Sequence, residues 1–287
     1  MNEAIIDLHT HSTCSDGSCT PRELIRLASA ASAKAVALTD HDTVEGLEEA
    51  RTACEECAVE FVSGIEISAE YSPGTMHILG YCIDERCESL AGELTLLREA
   101  RENRNPRIAA RLQELGIEID YSEVAEKAGG AVVGRPHFAS VMLEKGYIAS
   151  IQEAFDRYLA KGSPAYVEKT RLAPDQAIRM IHSAGGVAVL AHPYQLKCDS
   201  EEELGRLLDD LAASGLDGIE AVYSRHSVQQ RVRYAEMART RGMLVSGGSD
   251  YHGTYKPDLN VVTGKGDLAV PYSLLEQIKD RAESLRC

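Results

Sequence analysis

The chain alternates short apolar runs with amphipathic stretches, and this alternation most constrains its fold. Most runs are rich in β-branched residues and short enough for buried strands. The runs are Ala4–Leu8, Ala35–Thr39, Phe61–Ile67, Met76–Tyr81, Val187–Ala191, Gly218–Tyr223 and Leu244–Ser249. Strands that alternate with helices predict parallel strands joined by crossover helices. These runs therefore favour a closed or nearly closed α/β barrel over an open sheet.

Helix signals occupy the stretches between the runs. Thr20, Pro21 and Glu23 predict an N-cap, a proline at the first helical position and a capping-box partner. Asn105–Pro106 has the same pattern and predicts the start of a helix that ends at Gly116. Further amphipathic helices are predicted at Ala173–Ala184, Ser200–Ser214, Ser227–Arg241 and Tyr272–Leu285.

One stretch, from about residue 88 to residue 167, has a helical pattern without a convincing pair of strands. We interpret it as a mostly helical insertion that contributes to the substrate pocket. Residues 1–87 and 168–287 would then form the barrel that carries the site. A series of arginines spaced three or four apart is interpreted as a solvated face paired with nearby glutamates, in a helix split at Asn105–Pro106. These arginines are Arg98, Arg101, Arg104, Arg107 and Arg111.

The charge and the longest apolar runs exclude several classes of protein. The formal net charge is −15, whereas proteins that bind duplex nucleic acid carry basic surfaces. No apolar run approaches the roughly 20 residues of a membrane helix, and residues 1–9 lack a signal-peptide pattern. We therefore expect a cytoplasmic protein without duplex nucleic-acid or membrane partners, of unknown oligomeric state. Its eight cysteines are expected to be reduced thiols, and the CxxC of Cys54 and Cys57 is interpreted as incidental.

Most side chains that could bind metal ions lie at the end of an apolar run. They are His9, His11, Asp16, His41, Glu66, His77, His192, Asp250 and His252. Because the loops after the strands of an α/β barrel converge on one face, separate segments would deliver these groups to one place. Mixed imidazole and carboxylate ligands suit Zn, Mn or Fe(II), and this set exceeds what one ion can coordinate. His182 and His226, taken singly, are more typical of core or surface histidines.

These residues lie in motifs that resemble the PHP family, the polymerase and histidinol phosphatase family of metal-dependent phosphoesterases. The motifs are IDLHTHSTCSDG (Ile6 to Gly17), LTDHDT (Leu38 to Thr43), GIEIS (Gly64 to Ser68), His77, LAHP (Leu190 to Pro193) and GGSDYH (Gly247 to His252). The resemblance implies a distorted (β/α)7 barrel that binds two to three divalent ions.

The same resemblance implies how the ligands are shared among the ions. His9, His11, Glu66 and Asp250 would hold the first ion, and Glu66 would bridge to a second held by His77 and His192. The third ion would lie between Asp16, His41 and His252.

The helical insertion resembles one branch of this family, which includes nucleoside 3′,5′-bisphosphate phosphatases and a 5-phosphoribose 1,2-cyclic phosphate dihydrolase. The segments GRPHFA and YLAKGSPAYV carry that resemblance. It implies that Arg135 and Lys161 bind phosphate oxygens, with help from His137. Arg225 and His226 follow the predicted sixth strand and are expected to face the same pocket.

The resemblance thus implies hydrolysis of small phosphorylated ribose compounds, which we expect to proceed by attack of a metal-bound hydroxide. A 5-phosphoribose 1,2-cyclic phosphate, with both ester bonds cut in turn, is the first substrate hypothesis. A nucleoside 3′,5′-bisphosphate and 5′-to-3′ cleavage of short oligoribonucleotides are the alternatives, and an inactive metal-binding regulatory module is a third class. Asp16 and His192 are the candidates for proton transfer to the leaving group.

Overall fold

A curved six-stranded sheet forms the centre of the structure, a computed structural model that describes residues 4–129 and 133–286. In spatial order its strands are β2 (Ala35–Leu38), β3 (Glu60–Ala69), β4 (Met76–Tyr81), β5 (Val187–Leu190), β6 (Gly218–Tyr223) and β7 (Leu244–Gly248). Two short strands, β1 (Ile5–Ile6) and β8 (Val270–Pro271), pair antiparallel beside it.

The N-terminal segment that follows β1 lies between the two edges of this sheet. Asp7 bridges in parallel to Val36 of β2. On the other side, the amide of Leu8 donates to the carbonyl oxygen of Gly247 at 3.2 Å, and Thr10 bridges to Tyr251. The segment thereby connects both edges and confirms the predicted α/β barrel of the distorted type.

One strand departs from the predicted parallel arrangement. β4 runs antiparallel to both β3 and β5, whereas β2–β3, β5–β6 and β6–β7 are parallel. The reason is the short connection between β3 and β4. Residues 70–75 can make a tight return but cannot supply the dozen or more residues that a crossover needs.

Helices cover the outside of the barrel. They are α1 (Pro21–Ala30), α2 (Leu47–Cys57), α7 (Pro174–Ser183), α8 (Glu201–Ala213), α9 (Val228–Thr240) and α10 (Tyr272–Arg286). The capping box predicted for α1 is confirmed, because Thr20 Oγ1 accepts from the Glu23 amide at 3.2 Å and Glu23 accepts from the Thr20 amide at 2.8 Å. In the described part of the chain, the cysteines are free thiols and no helix is long and apolar enough to cross a membrane.

The stretch between β4 and α7 is helical. It comprises α3 (Glu88–Glu114), α4 (Tyr121–Lys127), α5 (Arg135–Glu144), α6 (Ile151–Ala154) and a π-helical turn at Phe155–Leu159. The first half of α3 packs its leucines on the barrel core, whereas Ile108 and Leu112 pack with Phe138 and Met142 in a second apolar cluster. α3 therefore connects two cores.

The predicted start of a helix at Asn105–Pro106 is wrong, because α3 runs through Pro106 without a break. A proline in a helix interior removes one hydrogen bond, but buried residues on both sides of Pro106 hold the helix together. The prediction that the arginine series is wholly solvated is also wrong. Arg101 and Arg104 are buried, with 7% and 6% of their surface exposed.

Candidate metal centre

All nine predicted metal-binding side chains come together at one end of the barrel. Glu66 and His77 lie on β3 and β4, and the other seven lie in loops that follow strands. Their imidazole nitrogens and carboxylate oxygens form four overlapping groups, in each of which the atoms lie within 4.8 Å of one another. The groups are His9/His11/Asp250, His9/Glu66/His192, His41/Glu66/His77 and His11/Asp16/His41/His252.

The ring nitrogens of His9 and His11 lie close to the carboxylates of Glu66 and Asp250. His9 Nε2 lies 3.4 Å from Glu66 Oε2 and 3.6 Å from Asp250 Oδ1. His11 Nε2 lies 3.2 Å and 3.4 Å from the same two oxygens. Ligands about 2.1 Å from a tetrahedral Zn ion are about 3.4 Å apart, and these four nitrogen–oxygen distances are close to that value.

Glu66 connects this group to the next one. Its Oε1 lies 2.8 Å from His77 Nδ1 and 3.0 Å from His192 Nε2, and its Oε2 lies 2.9 Å from His41 Nδ1. A carboxylate with one oxygen toward each group can bridge two ions.

Asp16 lies at the centre of the remaining group. Its carboxylate is 3.2 Å from His252 Nε2, 3.7 Å from His11 Nδ1 and 3.8 Å from His41 Nε2. Burial alone would raise the pKa of Asp16, but the neighbouring His41 and His252 hold it well below its usual range. Asp16 is therefore an ionised carboxylate and suits a cation.

Unpaired polar atoms support the fit of these residues to metal ions. Among the described residues, buried side-chain atoms without a hydrogen-bond partner concentrate here and include His9 Nε2, His11 Nε2, His41 Nδ1, Glu66 Oε2 and His192 Nδ1. Buried polar atoms are normally paired, so a cluster of unpaired ones marks a place for a ligand. Imidazole nitrogens and carboxylate oxygens are the donors that Zn, Mn and Fe(II) accept.

Buried carboxylates outside the ligand set orient the ligands. Glu220 lies 2.8 Å from His9 Nδ1 through one oxygen and accepts from the His192 amide at 2.8 Å through the other. This contact places the proton on His9 Nδ1 and directs Nε2 toward the first group. Asp40 similarly accepts from the amide and hydroxyl of Ser12 at 2.8 and 2.5 Å, which orders the loop that carries Asp16.

Backbone strain is concentrated at the same place. His192 and Asp250 have φ angles of 26° and 57°, and Asp42, beside His41, has a φ of 55°. Non-glycine residues in this region cost about 1–3 kcal/mol each and persist where surrounding contacts hold them.

A cavity of about 890 Å³ opens onto the metal-binding groups. Asp16, His41, Glu66, His192 and Asp250 lie at its base. The rings of Phe155, Tyr194 and Tyr255 line its wall, and Pro136, Leu143 and Ile151 of the helical insertion close one side. The cavity therefore joins polar metal ligands to flat apolar surfaces.

The predicted substrate-binding residues are distributed unevenly around this cavity. Arg225 lines it and pairs with Asp258 at 2.9 Å. Arg135 lies beside it, donating to the Leu159 carbonyl at 3.0 Å with its guanidinium over the rings of Phe155 and Tyr166. His137 is buried at the start of α5, where its Nδ1 accepts from the Gly134 amide at 2.9 Å.

Of the five predicted substrate-binding residues only Arg225 lines the cavity; besides Arg135 and His137, Lys161 and His226 do not. Lys161 is exposed in a turn and is not among the lining residues. His226 lies behind Tyr223 and Tyr194, at 4.9 and 5.6 Å between ring centroids, and its Nδ1 contacts the Ala221 carbonyl at 3.0 Å. Burial lowers the pKa of His226 to about 4.

Several residues that contact the candidate metal ligands were not predicted from the sequence. Glu220 is one, although an acid inside the run Gly218–Tyr223 signals a buried charge with a specific partner. Tyr223 and Lys256 are others, contacting Asp250 Oδ2 at 2.6 and 2.7 Å. Neither carries a signal in the sequence alone.

Three proteins of known name are similar to this chain over most of their length. A 3′,5′-nucleoside bisphosphate phosphatase from Chromobacterium violaceum is 35% identical, covering 87% of both chains. A 5′-3′ exoribonuclease Rnm from Salmonella typhimurium is 36% identical, covering 88% of this chain and 86% of that one. A phosphoribosyl 1,2-cyclic phosphate 1,2-diphosphodiesterase from Eggerthella lenta is 34% identical, covering 88% and 95%.

A solved structure and a family model agree with these relatives. A crystal structure from Bifidobacterium adolescentis, assigned as a metal-dependent phosphoesterase, superposes with a TM-score of 0.87 at 30% identity and covers 98% of this chain and 97% of that one. The family model described as PHP domain matches residues 7–171. The barrel, its converging ligands and these matches lead to one conclusion: the chain belongs to the PHP family and is a hydrolase of phosphate esters.

Proposed function

We propose that this enzyme hydrolyses a phosphate ester of a nucleoside 3′,5′-bisphosphate. The observation that carries the proposal is the cavity that joins the metal-binding groups to the rings of Phe155, Tyr194 and Tyr255. A nucleobase can stack on such rings, which contributes about 1–3 kcal/mol per base. A ribose phosphate without a base would leave these flat surfaces without a partner.

The residues proposed to hold two to three divalent ions are the nine that the structure brings together. When bound, such ions lower the pKa of water toward neutrality and offset charge on phosphoryl oxygens. The protein contributes fixed positions for the ligands, through Glu220, Tyr223 and the strained backbone of Asp250. Arg225 adds a cation on the cavity wall, held there by Asp258.

Asp16 and His192 are the proposed proton-transfer residues, and both line the cavity. His41 and His252 keep the pKa of Asp16 low against the effect of burial, so this carboxylate is ionised in the resting enzyme and must gain a proton before it can give one to a leaving oxygen. His192 has Nε2 beside Glu66 and Nδ1 buried without a hydrogen-bond partner, so an N–H at Nδ1 can donate to a leaving oxygen while Nε2 faces the metal-binding groups.

The cyclic ribose phosphate is the second candidate substrate. The relative named as a phosphoribosyl 1,2-cyclic phosphate 1,2-diphosphodiesterase is 34% identical and 95% of its length is covered. This molecule also offers two phosphate groups, but it lacks a base.

The test is a matched panel of substrates with Mn²⁺, Zn²⁺ or Fe²⁺ supplied separately. It contains adenosine 3′,5′-bisphosphate, 5-phosphoribose 1,2-cyclic phosphate and a short 5′-phosphorylated oligoribonucleotide. We expect the highest kcat/KM on the bisphosphate. Preference for the cyclic compound or the oligomer would replace the proposal, and no hydrolysis with any metal would favour a regulatory module.

The variant Tyr255→Leu tests the role assigned to the rings. We expect it to raise KM for the nucleoside bisphosphate about 5- to 100-fold through lost stacking. The cyclic ribose phosphate is the matched control, because it has no base to stack. An equal change in KM for both compounds would contradict the assignment.

A further inference from the structure

The two carboxylate oxygens of Asp250 have different neighbours. Oδ1 lies among the imidazoles of the metal centre, 3.6 Å from His9 Nε2, 3.4 Å from His11 Nε2 and 3.4 Å from His252 Nδ1. It is therefore the oxygen through which Asp250 can reach a metal ion together with these histidines.

The other oxygen, Asp250 Oδ2, is occupied by two protein donors. The Tyr223 hydroxyl donates to it at 2.6 Å, and Lys256 Nζ donates to it at 2.7 Å. A carboxylate oxygen has two lone pairs, so these two hydrogen bonds use its capacity as an acceptor. Oδ2 can bind a metal ion only if it first loses one of these donors.

Glu66, the other acid in the first group, shows the opposite arrangement. Its Oε1 lies beside His77 and His192, and its Oε2 lies beside His41. In the part of the chain that the structure describes, the side chain of Glu66 has only imidazoles as hydrogen-bond and ion-pair partners. Both oxygens of Glu66 are therefore available to metal ions, whereas Asp250 has only one.

Tyr223 is held rigidly in the position from which it donates. The residue is fully buried on β6. Its ring packs against those of His226 and Tyr194, at 4.9 and 5.8 Å between centroids. Closely packed interior rings have little freedom to move, so the Tyr223 hydroxyl stays directed at Asp250 Oδ2.

Lys256 contributes a charge as well as a hydrogen bond. Burial alone would raise the pKa of Asp250, but the charges of Lys256 and then His252 hold it well below its usual range. Asp250 is therefore an ionised carboxylate with its charge partly offset on the Oδ2 side. An ion pair with a side chain that is 3% exposed is screened little by water.

The turn before Lys256 has a defined shape. A short 3₁₀ turn at Gly253–Tyr255 precedes it, and the Lys256 amide donates to the Gly253 carbonyl at 3.1 Å. Gly253 has a φ of 65°, and a Cβ atom there would overlap Ser18 Oγ, so the position requires glycine. Ser18 Oγ also accepts from the Thr254 amide at 2.8 Å. The segment that carries Lys256 is thereby fixed to the N-terminal loop.

We propose that Tyr223 and Lys256 are positioning residues that restrict Asp250 to metal binding through Oδ1 alone. The proposal rests on the proposed function, because it concerns the metal ions of the same site. Carboxylates bind metal ions through one oxygen or through both, and the second mode uses an additional coordination position. Catalytic metal sites keep such a position open for water or substrate. The two donors on Oδ2 thus preserve a position that the reaction needs.

The test measures the visible absorption of the full-length protein loaded with Co²⁺. This ion accepts the same imidazole and carboxylate donors, and its absorption weakens as its coordination number rises. We expect Lys256→Met and Tyr223→Phe each to lower the absorption per bound Co²⁺, because a freed Oδ2 adds a ligand. We also expect each variant to lower kcat for the nucleoside bisphosphate roughly 10- to 100-fold, the usual effect of losing a partner behind a metal ligand.

Lys265→Met is the matched control. Lys265 lies in the same loop, is 48% exposed and is paired with Asp258 at 3.8 Å, so its loss should leave the absorption as in the wild type. Weaker absorption in either Lys256→Met or Tyr223→Phe, with a normal control, would support the proposal. Unchanged absorption in both variants, or an equal loss in the control, would overturn it.

Metal affinity, measured by competition with a chelator, distinguishes restricted coordination from a general weakening of the site. Lys256→Met removes a cation and frees an oxygen, so we expect it to bind Co²⁺ at least as tightly as the wild type. Weaker binding in both variants with unchanged absorption would show that Tyr223 and Lys256 only hold the site together. That result would overturn the proposal.

Neither the absorption nor the affinity requires a phosphate ester to be hydrolysed. If the wild type hydrolysed none of the tested esters while the variants still lost absorption, only the proposed function would be refuted. If the wild type bound no Co²⁺, the metal centre and both proposals would be refuted together.

Discussion

At the scale of single residues, the metal centre depends on side chains that do not themselves face the cavity. Glu220 is the clearest case, because one oxygen accepts a hydrogen bond from the His9 ring and the other accepts one from the His192 amide. An acid that is fully buried in a strand is costly unless such partners exist. Glu220 thus links two candidate ligands that are far apart in the sequence.

Replacing Glu220 with Gln should lower metal affinity roughly 10- to 100-fold, as loss of partners behind metal ligands typically does. The glutamine side chain keeps one oxygen that can accept a hydrogen bond, but its NH2 group would face either the His9 ring N–H or the His192 backbone amide. One of these donors then loses its partner, and the orientation of His9 or His192 is lost. Competition with a chelator measures the affinity. Glu236→Gln, an exposed change on α9, is the control, and equal affinities in the two variants would show that Glu220 does not orient the ligands.

The convergence of the candidate ligands was predictable for those whose position depends on where a strand ends. His9, His41 and His192 follow apolar runs, and any α/β barrel brings such positions to one face. The burial or exposure of the basic residues of the insertion was not predictable in the same way. Whether Arg101 is buried, or Lys161 exposed, depends on how the insertion packs against the barrel, which periodicity alone does not determine.

At the scale of elements, α3 connects the barrel to the insertion and carries the buried Arg101 and Arg104. Its 27 residues include Pro106, and the sequence pattern at that point resembles a helix start. Tertiary packing overrides that local signal, because Leu97 is buried on one side of the proline and Ile108 on the other. The antiparallel β4 illustrates the opposite case: the short connection between β3 and β4 sets its direction, and the prediction of parallel strands did not take that length into account.

Pro106→Ala should raise the free energy of unfolding by about 1–3 kcal/mol, because it restores a helical hydrogen bond at an exposed position. Denaturant titration measures the change. Gly92→Ala, at an exposed site of α3 where a Cβ meets nothing within 4 Å, should give a gain of about 1 kcal/mol and serves as the reference. A loss of stability in Pro106→Ala would show that the proline shapes the helix to fit both cores.

At the scale of the whole molecule, Asp217 ties the end of the chain to the barrel. Its carboxylate contacts His182 of α7, the amide of Ala188 in β5 and Arg281 of α10, each at 2.8 Å. Burial alone would raise the pKa of Asp217, but these hydrogen bonds lower it. The group therefore stabilises the fold when ionised.

Asp217→Asn should lower the free energy of unfolding by about 2 kcal/mol near pH 7, because one amide oxygen cannot serve three donors. A carboxylate whose pKa is lower in the folded state adds stability at a pH above its pKa in the unfolded state, which is about 4. This stability is lost as the pH falls through the pKa of the folded state. The difference between wild type and variant should thus shrink in acid. Urea unfolding of both proteins across this range measures it, with Asp280→Asn on α10 as control; a constant difference would contradict the linkage.

The position of the first barrel segment has a consequence for how the protein acquires its cations. Synthesis produces His9 and His11 long before Asp250 and His252, which complete their groups. A growing chain therefore holds these two imidazoles without Asp250 until β7 has been made. Complete loading with metal in this sense depends on translation having passed β7.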